Sequence, residues 1–103
     1  MSDLRVYEVT FVVQPDLEDE DRKKFIEKMK ETLTHGEGEE AAPLFEDWGK
    51  RQMAYAIKRF TDAYYLYFEA KLDPTKVRPI EQALNYDENV LRYLFVRKEI
   101  EEN

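Results

Sequence analysis

Residues 44–71, LFEDWGKRQMAYAIKRFTDAYYLYFEAK, hold two strand-forming runs with no helical pattern between them. Leu44 to Ile57 reads as a long strand whose alternation is imperfect, and Gly49 inside it marks a bulge or a close backbone approach. Phe60 to Asp62 reads as a turn. Ala63 to Lys71 then alternates cleanly, with Leu66, Phe68 and Ala70 on one face and Tyr65, Tyr67 and Glu69 on the other. A strand pair in the middle of a chain leaves the flanks to decide the architecture.

On the N-terminal side, LRVYEVTFVV places Tyr7, Val9, Phe11 and Val13 on one face of a strand, and Val6, Glu8, Thr10 and Val12 on the other. Gln14-Pro15 stops it. Asp16 is the expected helix N-cap, with Glu18 to Asp21 crowding the first turn where the helix dipole favours anions. Phe25, Ile26, Met29 and Leu33 mark the apolar face of a helix of about five turns ending at Gly36. The segment His35 to Glu40, HGEGEE, reads as a loop.

On the C-terminal side, Asp73-Pro74 signals a helix start, and Val77, Ile80 and Leu84 carry the helical spacing. Pro79 cannot donate the bond a helix interior needs, which predicts an irregular or tightened beginning. Asn85 to Asn89 closes the helix and Val90 to Lys98 forms the last strand. The order β-α-β-β-α-β defines an α+β, ferredoxin-like sandwich, a four-stranded antiparallel sheet with two helices on one face. Residues 1–98 form one such domain and 99–103 a short polar tail that frays.

Composition narrows the function. There is no cysteine and one histidine, which excludes thiol chemistry and leaves no expectation of a metal or any other cofactor. His35 has no neighbouring nucleophile, and neither GxGxxG nor GxxxxGK[ST] occurs. The strand-to-helix junction Val13-Gln14-Pro15-Asp16 is acidic and lacks the phosphate loop of a small acyl phosphate hydrolase. The chain reads as no enzyme. With neither a signal peptide nor an apolar run near the roughly 20 residues of a membrane span, a cytoplasmic protein is expected.

Charge gives a positive indication. The net charge is −7, yet residues 46–60 carry Lys50, Arg51, Lys58 and Arg59 against Glu46 and Asp47. An acidic chain that gathers cations on one segment is suited to an extended polyanion, and a nucleic-acid backbone is the obvious one. Eight residues of strand separate Lys50 from Lys58 and Arg51 from Arg59, about 26 Å. Such a ridge spans several phosphates, with Arg92 adding a cation from the last strand. The sheet face away from the helices is expected to display Val6, Thr10, Val12, Tyr65, Tyr67, Leu91, Tyr93 and Phe95, too much apolar surface to leave in water. Its readings are a protein interface, including a homodimer, or base stacking in the manner of RNA-recognition modules.

Three segments sharpen the choice. EDWGKRQMAYAI, AYYLYFEA and NYDENVLRYLFVRK together resemble the bacterial small-subunit ribosomal protein six family, from Tyr7-Glu8 to Lys98. Ala56 departs from the pattern, since members commonly carry proline there, and the C-terminus is shorter than the acidic tail of some members. The resemblance implies a small-subunit ribosomal protein that binds the central domain of ribosomal RNA as a heterodimer with small-subunit protein eighteen, aiding assembly. It implies RNA contacts at Lys50 and Arg51, and extends that expectation to Tyr7, Lys58, Arg59 and Arg92. The expected partner interface is Tyr65, Tyr67, Tyr93 and Phe95 on the open sheet face.

Overall fold

The computed structural model describes residues 4–35 and 41–98. Six elements follow in order: β1 (Arg5–Val13), α1 (Asp19–Thr32), β2 (Leu44–Ile57), β3 (Phe60–Leu72), α2 (Pro74–Leu84) and β4 (Val90–Arg97). The strands form one sheet in the order β2-β3-β1-β4, with each neighbouring pair antiparallel. This is the expected ferredoxin-like sandwich, with β2 and β4 at the edges.

Strand alternation builds the core. Val9, Phe11, Val13, Leu66 and Phe68 are fully buried, and they meet Phe25, Ile26, Met29 and Leu33 of the first helix and Leu84 of the second. Phe11 sits at the centre, edge-on to Phe25, Phe68 and Phe95 at ring separations of 5.5, 5.6 and 6.4 Å. Edge-to-face packing suits the ring quadrupoles and adds to the burial energy.

Several local expectations are corrected. α1 begins at Asp19 with Glu18 as N-cap and spans 14 residues, about four turns. Asp16 does not cap it: the Gln14 side-chain oxygen accepts the Asp16 backbone N–H at 2.8 Å, holding residues 14–16 in a turn ahead of the helix. The anticipated loop at His35 to Glu40 and the tail at 99–103 lie outside the described residues, apart from His35, whose N–H donates to Ala41 O. The turn between β2 and β3 is Lys58-Arg59 rather than Phe60 to Asp62, because β3 starts at Phe60. Lys58 has φ +58°, the sign that a tight hairpin turn requires at its first central residue and that lysine adopts only under strain.

α2 starts as the sequence suggests. The Asp73 carboxylate accepts from the Thr75 backbone N–H at 3.0 Å and from its hydroxyl at 2.8 Å. The Lys76 N–H reaches back only three residues, to Asp73 O, so the first turn is tightened. Pro79 lies inside the helix, beyond that turn. The two Thr75 bonds hold the Asp73 carboxyl below its ordinary value. A carboxylate favoured in the fold stabilises it above the unfolded-state pKa and stops doing so as pH falls through the depressed one. Asp73→Ala should therefore lower the melting temperature near neutrality, and the difference from the native chain should vanish in acid; melting curves at a series of pH values check it.

Two bulges shape the sheet. Between β2 and β3, Asp47 faces Leu66 and Gly49 faces Tyr65, leaving Trp48 as the extra residue. Gly49 takes φ +77°, and a Cβ there would meet nothing within 4 Å, so backbone conformation and not space requires glycine. Gly49→Ala should cost about 1 kcal/mol of stability in urea unfolding. Between β1 and β4, Val12 faces Arg92 and Val13 faces Val90, so Leu91 is extra.

Candidate nucleic-acid interface

The Leu91 bulge reverses the parity of β4. Tyr93 and Phe95 lie opposite Phe11 and Val9 and pack against the main core, and the Tyr93 hydroxyl donates to Asn85 Oδ1 at 2.8 Å. Their expected place on the open sheet face is thus corrected: Arg92, Leu94 and Val96 stand there instead, the last two 58% and 46% exposed. Tyr65 and Tyr67 do face that side. Tyr7, expected at RNA, is 8% exposed and belongs to the core, because it shares parity with Val9 and Phe11.

The open face divides into two halves of different chemistry. At one end Trp48 stacks on Tyr67 with centroids 5.0 Å apart and planes 8° from parallel. Glu46 lies opposite Tyr67 and accepts the Trp48 indole N–H at 3.3 Å, while Glu8 and Glu69 face each other across β1 and β3. Desolvation, the neighbouring carboxylates and the hydrogen bond to Glu8 raise the Tyr67 phenol above its ordinary pKa. Lys98 Nζ relieves the Glu69 charge at 3.2 Å. With one ring face of Tyr67 taken by Trp48 and acids around it, this half is unsuited to stacking a nucleobase.

At the other end the β2-β3 hairpin does not stay in the sheet plane. Its register shifts between Gln52 and Ile57, and residues 53–60 curl over the open face as an arm. Met53 buries against Val12 and Ala63, with Ile57, Phe60, Tyr65 and Leu91 packed around them, forming a second small core. The arm crosses β3 and β1 to reach β4, where Arg92 Nη1 donates to the Tyr55 hydroxyl.

Five expected RNA-contacting cations surround this arm. Lys50 sits opposite Tyr64 on the helix side, its Nζ 5.4 Å from that ring, and Arg51 sits opposite Ala63 on the open side, over Trp48 at 5.6 Å. Because β2 is an edge strand, both reach the rim of the sheet. Lys58 and Arg59 form the hairpin tip, with Arg59 over Phe60 at 4.7 Å, and Arg92 lies 5.3 Å over Tyr55. The bulge and the curl break the straight 26 Å ridge expected of a regular strand.

None of these five cations meets a carboxylate within salt-bridge distance among the described residues. Arg22 pairs with Asp19 and Asp47, Lys30 with Glu27, and Lys98 with Glu69, so what distinguishes the five is their clustering around one arm. Lys50, Arg51, Arg59 and Arg92 rest on aromatic rings, and Arg92 also on a hydroxyl, contacts that orient a charge without neutralising it. The sequence assigned no site role to Met53, Tyr55 or Leu94, although Met53 and Tyr55 lie in the segment EDWGKRQMAYAI that carries the family resemblance.

A ferredoxin-like sandwich with an acidic-aromatic half-face and an uncompensated cationic arm defines the class. The comparisons then give the family. The family model for ribosomal protein S6 matches residues 6–97. The chain is 36% identical over 98 residues to small ribosomal subunit protein bS6 of Moorella thermoacetica, covering 95% of this chain and 98% of that one. It is 36% identical over 94 residues to bS6 of Caldanaerobacter subterraneus subsp. tengcongensis, covering 91% and 97%. In fold it is similar to the crystal structure of 30S ribosomal protein S6 from Thermotoga maritima, with TM-score 0.79, 23% identity, and 93% of this chain and 89% of that one covered. The chain belongs to the ribosomal protein S6 family, as a protein of the bacterial small ribosomal subunit in the cytoplasm and not an enzyme. No helix among the described residues is long and apolar enough to cross a membrane.

Proposed function

We propose that this chain binds the central domain of small-subunit ribosomal RNA through the cationic arm, as a heterodimer with small-subunit protein eighteen, and so aids assembly of the subunit. One observation carries the RNA reading: Lys50, Arg51, Lys58, Arg59 and Arg92 gather around one arm with no carboxylate within salt-bridge distance among the described residues. Phosphate neutralisation with counterion release is the interaction such side chains make best. None of them reads a base edge by itself, so recognition of RNA shape and backbone is the expected mode.

The acidic-aromatic half supports the protein partner. Glu8 lies directly opposite Glu69, and with Lys98 on Glu69 a cationic partner segment laid over Glu8 would relieve the repulsion that is left. Tyr67 remains in the proposed partner surface, with Val96 in the position first assigned to Phe95, whereas Tyr65 and Leu94 lie beneath the arm, in the cationic half. The partner adds basic surface that a chain of net charge −7 lacks. Titrating the RNA with each protein alone and with the mixture tests this: the mixture should bind far more tightly than this chain alone. Equal binding by the isolated chain would count against the heterodimer.

A homodimer through the open face is the second reading, favoured by exposed Leu94 and Val96. Sedimentation of the purified chain with and without ribosomes separates the two.

A further inference from the structure

The arm leaves an open cleft of about 320 Å³ beneath it, walled by Val12, Met53, Tyr55, Tyr65 and Leu94. A second cleft of about 360 Å³ adjoins it, walled by Lys58, Asn85 and Leu91. Arg92 and Tyr93 belong to both, and no carboxylate lines either. Each falls in the size range of small-ligand sites. We infer that the two clefts together take one unstacked nucleotide of the bound RNA, its base in the apolar slot and its phosphate against Lys58 and Arg92; the inference rests on the RNA reading above.

The chemistry favours a nucleotide over a partner's side chain. An aliphatic or aromatic side chain would use the apolar slot alone and gain nothing from two cations beside it. A nucleotide has a broad ring to cover Tyr65 and Leu94 and, one sugar away, an anion that needs those cations. Arg92 is held by a neutral hydroxyl, so its charge stays available while its position is set. The slot is also open: Tyr55 and Leu94 are 59% and 58% exposed at its rim. A further cleft between the helices, by contrast, sets Asp87 and Glu88 against a single Lys28, a net negative lining unfavourable to a phosphate.

Methionine methyl NMR reads the site directly, because Met53 lines the slot and Met29, in the main core, serves as an internal control. The full chain, labelled at methionine methyls, is titrated with a single-stranded RNA pentamer and with the same pentamer carrying an abasic central ribose. The intact pentamer should shift Met53 and leave Met29 in place, and the abasic one should bind about tenfold more weakly without that shift. Leu94→Trp, made at an exposed position, fills the slot. It should bring both pentamers to the abasic affinity while keeping the native melting curve. Equal Met53 shifts from both pentamers, or native discrimination in Leu94→Trp, overturns the inference, as does a Leu94→Trp defect confined to capture of the protein partner. If ribosomal RNA binding is intact but the pentamers are not discriminated, this inference alone falls. If ribosomal RNA itself does not bind, the reading beneath it falls too.

Discussion

Replacing Lys50 and Arg51 together by glutamate should weaken ribosomal RNA binding by at least about tenfold and flatten its dependence on salt by about one unit of slope per side chain. Both residues lie on the edge strand β2, one on each face, at the Gly49 bulge, so an RNA strand running along the rim can touch both. Neither has a carboxylate within salt-bridge distance among the described residues, so the substitution breaks no ion pair there. The core holds neither side chain, and the melting temperature should change little. Fluorescence anisotropy at several salt concentrations gives affinity and slope together. An unchanged slope would mean that these side chains do not touch phosphate.

The largest stability effect is expected from Phe68→Ala. Phe68 is fully buried between Phe11, at 5.6 Å, and Phe45, at 4.8 Å, and it lies on the strand that pairs with both β1 and β2. Truncation removes the ring's burial and opens a cavity among residues held in place by three strands, at a cost of about 3–5 kcal/mol. Urea unfolding should show the midpoint falling by most of the chain's stability. Phe95→Ala, in the less enclosed β4 edge, should cost less. A smaller loss at Phe68 than at Phe95 would mean that the core is not centred where the packing places it.

Much of this was legible in the residues because the physics was local. Alternation in β1 and β3 identified which side chains face the helices, since period two leaves no other assignment for Val9, Phe11, Leu66 and Phe68. The Asp73-Pro74 start worked because cap and proline act within one turn. The failures needed information from elsewhere in the chain. The parity of β4 depends on Leu91 being skipped, and that is decided by which β1 residues Val90 and Arg92 meet across the strand gap. The curl of residues 53–60 depends on Met53 finding Val12, forty-one positions away in sequence. Tyr7 is a different case: its parity already assigned it to the core, and only the family resemblance argued for RNA.

The site followed the same division. The cations themselves were visible in composition, because six of fifteen residues in 46–60 are charged and four of those are positive. Their lack of acid partners among the described residues was not, since which side chains lie across from them is decided by strand pairing. The separation of an acidic-aromatic half from a cationic arm is therefore a property of the fold.

Ultraviolet cross-linking of the assembled small subunit, with cross-linked peptides identified by mass spectrometry, addresses the central idea most directly. The account predicts RNA adducts on peptides spanning Lys50 to Phe60 and on the peptide containing Arg92. Adducts concentrated on the acid-rich helix from Asp19 to Thr32, with the arm unmodified, would contradict it.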